Sequence, residues 1–584
     1  MTTASAASPA TTSRAHHRSS AQPLIRLITL GRLAAAALIL AAIAILARLL
    51  GQVELSDFSA IINDDYLHRV IRFTLLQAGA STLLSVALAV PVARALSRQS
   101  RFPGRALLLR LFSLPLVMPA LVAIFGVVDI YGQQGLLAHL TDALAQATGA
   151  PITWPSIYGL AGILIAHVFF NLPLAVRLLL PAWQSVPAET WRLAAQLGMR
   201  GGQVFRLIEL PLLRRALPQI AATIFMLCFV SFAIILTFGG GPRASTLEVA
   251  IFQAIRFDAD LPRAGLLALI ELALCLVVGL ACRGLTQHMD LGAGLGRPIW
   301  RHDGATRAAR LSDGSWIILA GLFVLLPEAA LLVDGLAGFT HALPWAALLQ
   351  AGATSLTLAI IAGLLATAIG FALAAAARPG ITGFRTTALQ RLRRCLVDGA
   401  QSFAGLLPLA LSPMVLGMGL YLLISDAQNS ALLSGADGDG PAADLVSDLA
   451  PLIGIILLNA AMAIPYTLTL LLPAIERARG QHDKLCRELG IAGWRRFRLI
   501  DWPVLRPQIG TALALATSLG LGDLVGISLF GNPDLRTLGI LLYEQIGAYR
   551  MTEAATTALL LLVLVLVVYT GIERLVGGKA RRHG

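Results

Sequence analysis

Apolar runs of about 20 residues, each able to cross roughly 30 Å of hydrocarbon as a helix, recur along the whole of this 584-residue chain. Such runs admit few folds. A backbone surrounded by lipid finds no water, so its N–H and C=O groups must be satisfied within a helix or a closed barrel. No period-two alternation is visible, which removes the barrel and leaves an all-α integral membrane protein. Charged residues make up 13% of the chain, against about 25% in soluble domains. About twelve spans are expected, near residues 27–49, 70–96, 106–131, 157–182, 216–238, 264–283, 315–337, 347–377, 400–424, 450–474, 508–530 and 555–576.

The net charge of +13 does not mark a nucleic-acid binder, because the cations are scattered through short loops and not gathered on a soluble domain. They set topology instead. SRQSRFPGR, RPGITGFRTTALQRLRRC and the tail GGKARRHG are basic, whereas VELSDFSAIINDD and SDAQNSALLSGADGDGPAADLVSD are acidic or neutral. By the positive-inside rule the basic loops, and with them both termini, are cytoplasmic. Residues 1–22 are small, polar and basic and read as a disordered cytoplasmic tail. The first apolar run is a full span, so it is expected to stay in the membrane as a start-transfer helix. Cys228, Cys275, Cys282, Cys395 and Cys486 form no CxxC pair, and neither a disulfide nor a metal site is expected.

Two polar segments between the apolar runs are near copies. LAAQLGMRGGQVFRLIELPLLRR at 193–215 and LCRELGIAGWRRFRLIDWPVLRP at 485–507 agree at roughly half their positions, which points to internal duplication. Other matches extend it: LLQAGA at 75–80 and 348–353, TLEVAIFQAI at 246–255 against TLGILLYEQI at 537–546, and Pro173, Pro181 and Phe238 recurring as Pro465, Pro473 and Phe530. The expected organisation is a six-span domain over 23–285, a cytoplasmic linker over 286–313, a second six-span domain over 314–578 and a basic tail over 579–584. Two such halves in one orientation form a parallel repeat about an axis along the membrane normal, which favours a pathway between them.

In each copy a short apolar stripe ends at a glycine, Gly198 or Gly490, and a second short helix follows before Pro211 or Pro503 launches the next span. One such loop could simply anchor to anionic headgroups. Two with the same spacing fit a symmetric cytoplasmic protein partner better.

The loops resemble the EAA motif of ABC importer permeases, consensus E-A-A-x3-G-x9-I-x-L-P. Gly198, Ile208, Leu210 and Pro211 fit its spacing, as do Gly490, Ile500 and Pro503. The Glu position is instead Arg192 or Lys484, the Ala pair is Leu193-Ala194 or Leu485-Cys486, and Trp502 replaces Leu, so the family's acidic salt bridge is not carried over. The resemblance implies a coupling helix seated in a groove of an ATPase subunit. Leu193, Ala194, Gly198, Phe205, Ile208 and Pro211 would form it in the first half, and Leu485, Cys486, Gly490, Phe497, Ile500 and Pro503 in the second. Longer blocks, among them FPGRALLLRLFSLPLVMPALVAIFGVVDIYGQQG, GLAGILIAHVFFNLPLAVRLLL and LFGNPDLRTLGILLYEQIGAYR, are similar to the fused permeases of thiamine importers over residues 23–576. That resemblance implies a bacterial inner-membrane permease subunit moving thiamine or its phosphates, delivered by a periplasmic binding protein. Fused ferric-iron permeases are the alternative.

The chain has no GxxxxGK[ST], and its two lysines, Lys484 and Lys579, follow no glycine-rich loop, so ATP must be hydrolysed by a separate subunit, one copy per loop. No HExxH or GxSxG is present either, and neither an enzyme nor a cofactor is expected. Candidate intramembrane polar residues are His167 and Asn459, equivalent in the two halves, with Glu271 and Asp523. No paired-acid relay is visible, and a lone histidine is more often a helix-to-helix hydrogen bond. Asp523, in SLGLGDLVGISLFGN, belongs to the span that lines the path in the resembled family. Its carboxylate could serve a thiazolium cation or bond backbone freed by the neighbouring glycines.

Overall fold

The computed structural model describes residues 12–52, 64–149, 153–239, 241, 244–285, 301–377, 404–405, 407–408, 411–434, 441–491, 493–531 and 535–577. Among these, ten helices are long and apolar enough to cross a membrane, and Pro413–Asp426 is a shorter apolar one. The described residues contain no strand. Cys395 and the tail 579–584 lie outside them.

Several spans differ from expectation in ways that trace to backbone chemistry. The run at 106–131 is divided into Arg105–Leu111 and Ala120–Tyr131, because Pro115 and Pro119 remove donors from the ladder between them. The runs at 216–238 and 508–530 each break at the same place, giving Leu210–Phe229 followed by Ala233–Phe238, and Trp502–Leu521 followed by Val525–Phe530. The ninth span is described from Pro413, as Pro413–Ser434. The first helix reaches back to Thr12, into the stretch expected as a disordered tail. Propagating an existing helix adds a hydrogen bond per residue without a new nucleus, so a polar run can be drawn into it.

The halves exchange their first helices. Thr12–Gly51 packs on Trp345–Ala376 and Pro413–Ser434 of the second half, and Arg307–Ala337 packs on Asp65–Arg98 and Ala120–Tyr131 of the first. Lipid supplies no hydrophobic drive between helices, so close backbone approach through small residues does the work. Gly31 lies against the Ala372 carbonyl and Gly419 against Ile45. A Cβ at Gly126 would stand 2.6 Å from the Pro327 carbonyl oxygen. In each half a short helix, Leu247–Arg256 or Leu538–Gly547, has its first amide held by a hydroxyl of the second long helix. Leu247 N–H donates to Thr74 Oγ1 at 3.2 Å, and Leu538 N–H to Ser355 Oγ at 2.9 Å.

The stretch expected as a polar linker is in part buried among its described residues. Residues 301–306 tuck against the end of Asp65–Arg98, and Arg301 is only 4% exposed. Its polar composition gave no hint of this, because the groups that bury it are themselves ionic.

Candidate functional site

Each repeated loop is built from two arms joined at a left-handed glycine. In the first half, Pro187 ends the Leu160–Gln184 helix and opens the arm Ala188–Gln196. Arg479 stands where Pro187 would in the second half, and there the helix Pro441–Glu488 runs unbroken from span into arm. Both arms close identically. Gly198 has φ +62° and Gly490 φ +63°; Met199 N–H reaches the Ala194 carbonyl at 3.0 Å, and Ile491 N–H the Cys486 carbonyl at 2.9 Å. That 6→1 bond is the signature of a Schellman cap, where glycine avoids the Cβ penalty.

The second arm is not the separate short helix expected. Gly201–Val204 passes through a π turn, Phe205–Glu209, directly into Leu210–Phe229, and Phe497–Asp501 does the same before Trp502–Leu521. Pro211 and Pro503 cannot donate to the carbonyl four residues back, and a wider turn accommodates the missing bond. Leu210 N–H instead reaches the Phe205 carbonyl, and Trp502 N–H that of Phe497.

The outer surface of the two loops is the same. Leu193, Leu197 and Leu207 are 55%, 69% and 65% exposed, and their counterparts Leu485, Leu489 and Leu499 are 49%, 61% and 59% exposed. Among the residues singled out from sequence, Gly198, Gly490, Pro211 and Pro503 are exposed, and Phe205, Phe497, Ile208 and Ile500 are half-buried. Ala194 and Cys486 are buried and hold the arm to the bundle. The alternation LxxxL within the first arm was legible as a stripe; Leu207 and Leu499, inside a π turn, were not.

Beneath the first loop lies an ionic cluster that sequence reasoning missed. Glu209, fully buried, accepts from Arg94 Nε at 2.6 Å, Arg301 Nη2 at 2.6 Å and Trp183 Nε1 at 3.0 Å. Arg301 also reaches Ser97 Oγ at 3.1 Å and both oxygens of Asp303, and its guanidinium stacks 4.0 Å from the Trp191 ring. Burial by itself works against both charges, but the hydrogen bonds and opposite charges of Asp303 and Glu209 outweigh it and raise the Arg301 pKa. Those of Arg301 and Arg98 likewise hold the Asp303 carboxyl below its usual range. Charge-assisted bonds of this kind are roughly twice as strong as neutral ones.

No family model matches the chain. The thiamine transport system permease protein ThiP of Brucella abortus (strain 2308) is 44% identical over 512 residues, 88% of each chain. That of Escherichia coli (strain K12) is 41% identical over 527 residues, 90% of this chain and 92% of its own. The chain belongs to the thiamine transport system permease family. The molybdenum transport system permease protein ModB of Mycobacterium bovis is 30% identical over 234 residues, 85% of its own length but 40% of this permease. One ModB-like unit accounts for less than half of the chain, as a tandem of two type I permease domains requires.

Inside the permease, the polar residues singled out from sequence fall into separate networks. His167 Nδ1 lies 2.9 Å from Ser81 Oγ, while its Nε2 has no partner among the described residues. Close by, Gln77 Nε2 donates to the Cys228 carbonyl at 3.0 Å, so this network joins three helices of one half. In the second half Asp523 accepts from Val525 N–H and Gly526 N–H, both at 3.0 Å, with the Asn459 amide beside it. It caps the Val525–Phe530 helix at the break. The corresponding break in the first half carries Ser231, so the break itself does not need an acid.

Glu271, expected to stand without an acidic partner, faces Glu248 from the Leu247–Arg256 helix. Both are buried, and Ser412 and the Met414 backbone of the second half lie alongside. No carboxyl oxygen of the pair achieves hydrogen-bond geometry. The pairing was invisible because Glu248 lies on a short helix outside every expected span, so its depth could not be read from hydropathy.

Proposed function

We propose that this permease is the membrane subunit of an ATP-driven importer that moves thiamine or a thiamine phosphate from a periplasmic binding protein into the cytoplasm of a bacterium. Both termini and both repeated loops face the cytoplasm. The relatives named for thiamine transport support the cargo. The observation that carries the mechanism is the duplicated exposed leucine triplet on two Schellman-capped loops. Three large apolar side chains stand exposed at matching positions of each loop, and exposed apolar surface of this kind marks partner sites. One ATPase subunit seated on each loop gives a symmetric motor under a pseudo-symmetric bundle. Closure of the two subunits then drives the loops together, and the halves alternate access to a path between them.

Within that reading, Leu193, Gly198, Pro211 and their counterparts Leu485, Gly490 and Pro503 face the ATPase. Ala194, Cys486, Phe205, Phe497, Ile208 and Ile500 seat the loop against the spans. Asp523 borders the path and presents a fixed carboxylate to a cationic thiazolium. His167 and Asn459 hold neighbouring helices in register around it.

The test replaces Leu193, Leu197 and Leu207 with serine together, and separately Leu485, Leu489 and Leu499. Membrane insertion should persist while ATPase co-purification drops with each triple variant and disappears with all six. Full co-purification by the sixfold variant would remove the docking role. The cargo meets a separate test: the gene should restore vitamin-limited growth to a strain lacking its thiamine permease. Restored iron uptake without thiamine uptake would shift the assignment to the ferric-iron permeases.

A further inference from the structure

The two loops share a surface but not a foundation. In the second loop the clamp is internal: Arg496 binds Asp483 on the first arm at 2.6 Å and Asp501 on the π turn at 3.2 Å. The first loop carries Trp191 and Val204 at the positions of Asp483 and Arg496, so it cannot form that bridge. Its arms are joined instead by an arginine from outside the loop. Arg301 stacks on Trp191 of the first arm and binds Glu209 of the π turn. The same side chain reaches Ser97 at the end of Asp65–Arg98, and Asp303, which it also binds, is gripped by Arg98. Arg98 and Gln99 in turn hold Asp313, on the first helix of the second half.

We propose that Arg301 is a positioning residue for coupling, clamping the arms of the first loop to the first half's second helix and to the second half's first helix. Movement imposed on that loop is thereby delivered to both halves. The inference rests on the coupling reading above. Arg94, Arg98 and Arg301 balance Glu209, Asp303 and Asp313, and every guanidinium in the cluster has a carboxylate within ion-pair distance. Removing one member of such a buried set strands a charge, which makes the assembly stiff. A planar guanidinium with five donors can stack and bridge several partners at once, and an ammonium cannot. Lysine at 301 is therefore the informative replacement, because it keeps the charge and loses the geometry.

The experiment compares Arg301→Lys, Arg301→Met and Arg496→Met in the full-length permease with its ATPase in proteoliposomes. It measures hydrogen exchange over 188–209 and 480–501, ATPase co-purification, and transport per ATP hydrolysed. Arg301→Lys should raise exchange over 188–209 by about tenfold and leave 480–501 unchanged, with Arg496→Met giving the reverse pattern. Co-purification should stay within about twofold while transport per ATP falls by about fivefold or more. Transplanting the second loop's bridge, Trp191→Asp with Val204→Arg on the Arg301→Met background, should restore exchange over 188–209, because it rejoins the arms. It should leave transport per ATP low, because it does not tie them to Ser97 or Asp313; restored transport would overturn the clamp. Native exchange and native transport in Arg301→Lys would overturn the clamp. Raised exchange with native transport per ATP would also overturn it, by reducing Arg301 to a stabiliser. If Arg301→Met fails to accumulate, the lysine variant alone decides. Should the sixfold leucine variant keep its ATPase, the coupling reading fails, and the exchange data still report whether Arg301 holds the loop.

Discussion

Replacing Gly198 with valine isolates a purely conformational cost. A Cβ built at Gly198 or Gly490 meets no atom within 4 Å, so the first side-chain atom adds no clash with the rest of the protein. The cost comes from φ of +62° and +63°, a region that disfavours L-residues by about 1–2 kcal/mol and β-branched ones most. At about 1.4 kcal/mol per factor of ten, the closed turn should lose roughly 5–30-fold in population relative to an opened one. Opening releases the Met199-to-Ala194 and Gly198-to-Ala195 hydrogen bonds. Their amides should exchange faster by the same factor, and ATPase affinity should fall with them. Gly198→Asn is the control, since asparagine tolerates the left-handed region and should remain within about threefold of the native protein. The assay is amide exchange at 198–199 alongside an ATPase-binding titration in detergent. Equal effects from Asn and Val, or a native valine variant, would refute the argument from backbone conformation.

Three further outcomes are expected. Asp523→Asn keeps one acceptor for the Val525 and Gly526 amides and removes the charge; thiamine uptake should fall several-fold with ATPase assembly unchanged, and full uptake would reduce the residue to a helix cap. Gly126→Ala drives a Cβ to 2.6 Å from the Pro327 carbonyl and should destabilise by about 1–3 kcal/mol, read as a lowered melting temperature, whereas Gly202→Ala, with nothing within 4 Å, should not lower it. The Asp303 carboxyl is held below its usual range and the Arg301 guanidinium above its own. The acid's contribution is therefore full above the unfolded carboxylate pKa of about 3.9 and lost as pH falls through the lower folded value, while the arginine's is lost only in strong alkali. Trp183 and Trp191 fluorescence should accordingly be flat from about pH 5 to 9 and change in acid; a transition near neutrality would contradict the cluster.

The spans and the duplication were legible because hydropathy and repetition survive in a one-dimensional reading. What escaped that reading was where backbone chemistry or distant partners take over. The interruption at Phe112–Pro119 sits inside a strongly apolar run, and a hydropathy window does not register the amide donors missing at Pro115 and Pro119; the break around Asp523 holds no proline and gives no such signal. The π turns at FRLIE and FRLID follow from a single proline two residues later, a signal that is visible but easily read as a helix start. Glu209 and Asp501 look like surface acids in an arginine-rich loop; only the fold shows that Glu209 is buried beneath one. Arg301 belongs to a stretch whose composition reads as a polar linker, and its burial depends on residues from about ninety to two hundred positions away. The leucine triplets were half-recognised, since two of each three follow helical spacing and the third is displaced by the π turn.

The exchange of first helices bears on how far the two halves can travel. Thr12–Gly51 is covalently part of one half and packs on two helices of the other, and Arg307–Ala337, which also packs on Met551–Gly577 of its own half, packs on two helices of the first. To part the halves like the leaves of a book, an entire span would have to be stripped from its seat on each side. Rocking about the shared contacts strips neither. The interlocked helices therefore act as a mechanical stop: they resist a wide separation of the halves more than they resist a tilt about the shared contacts.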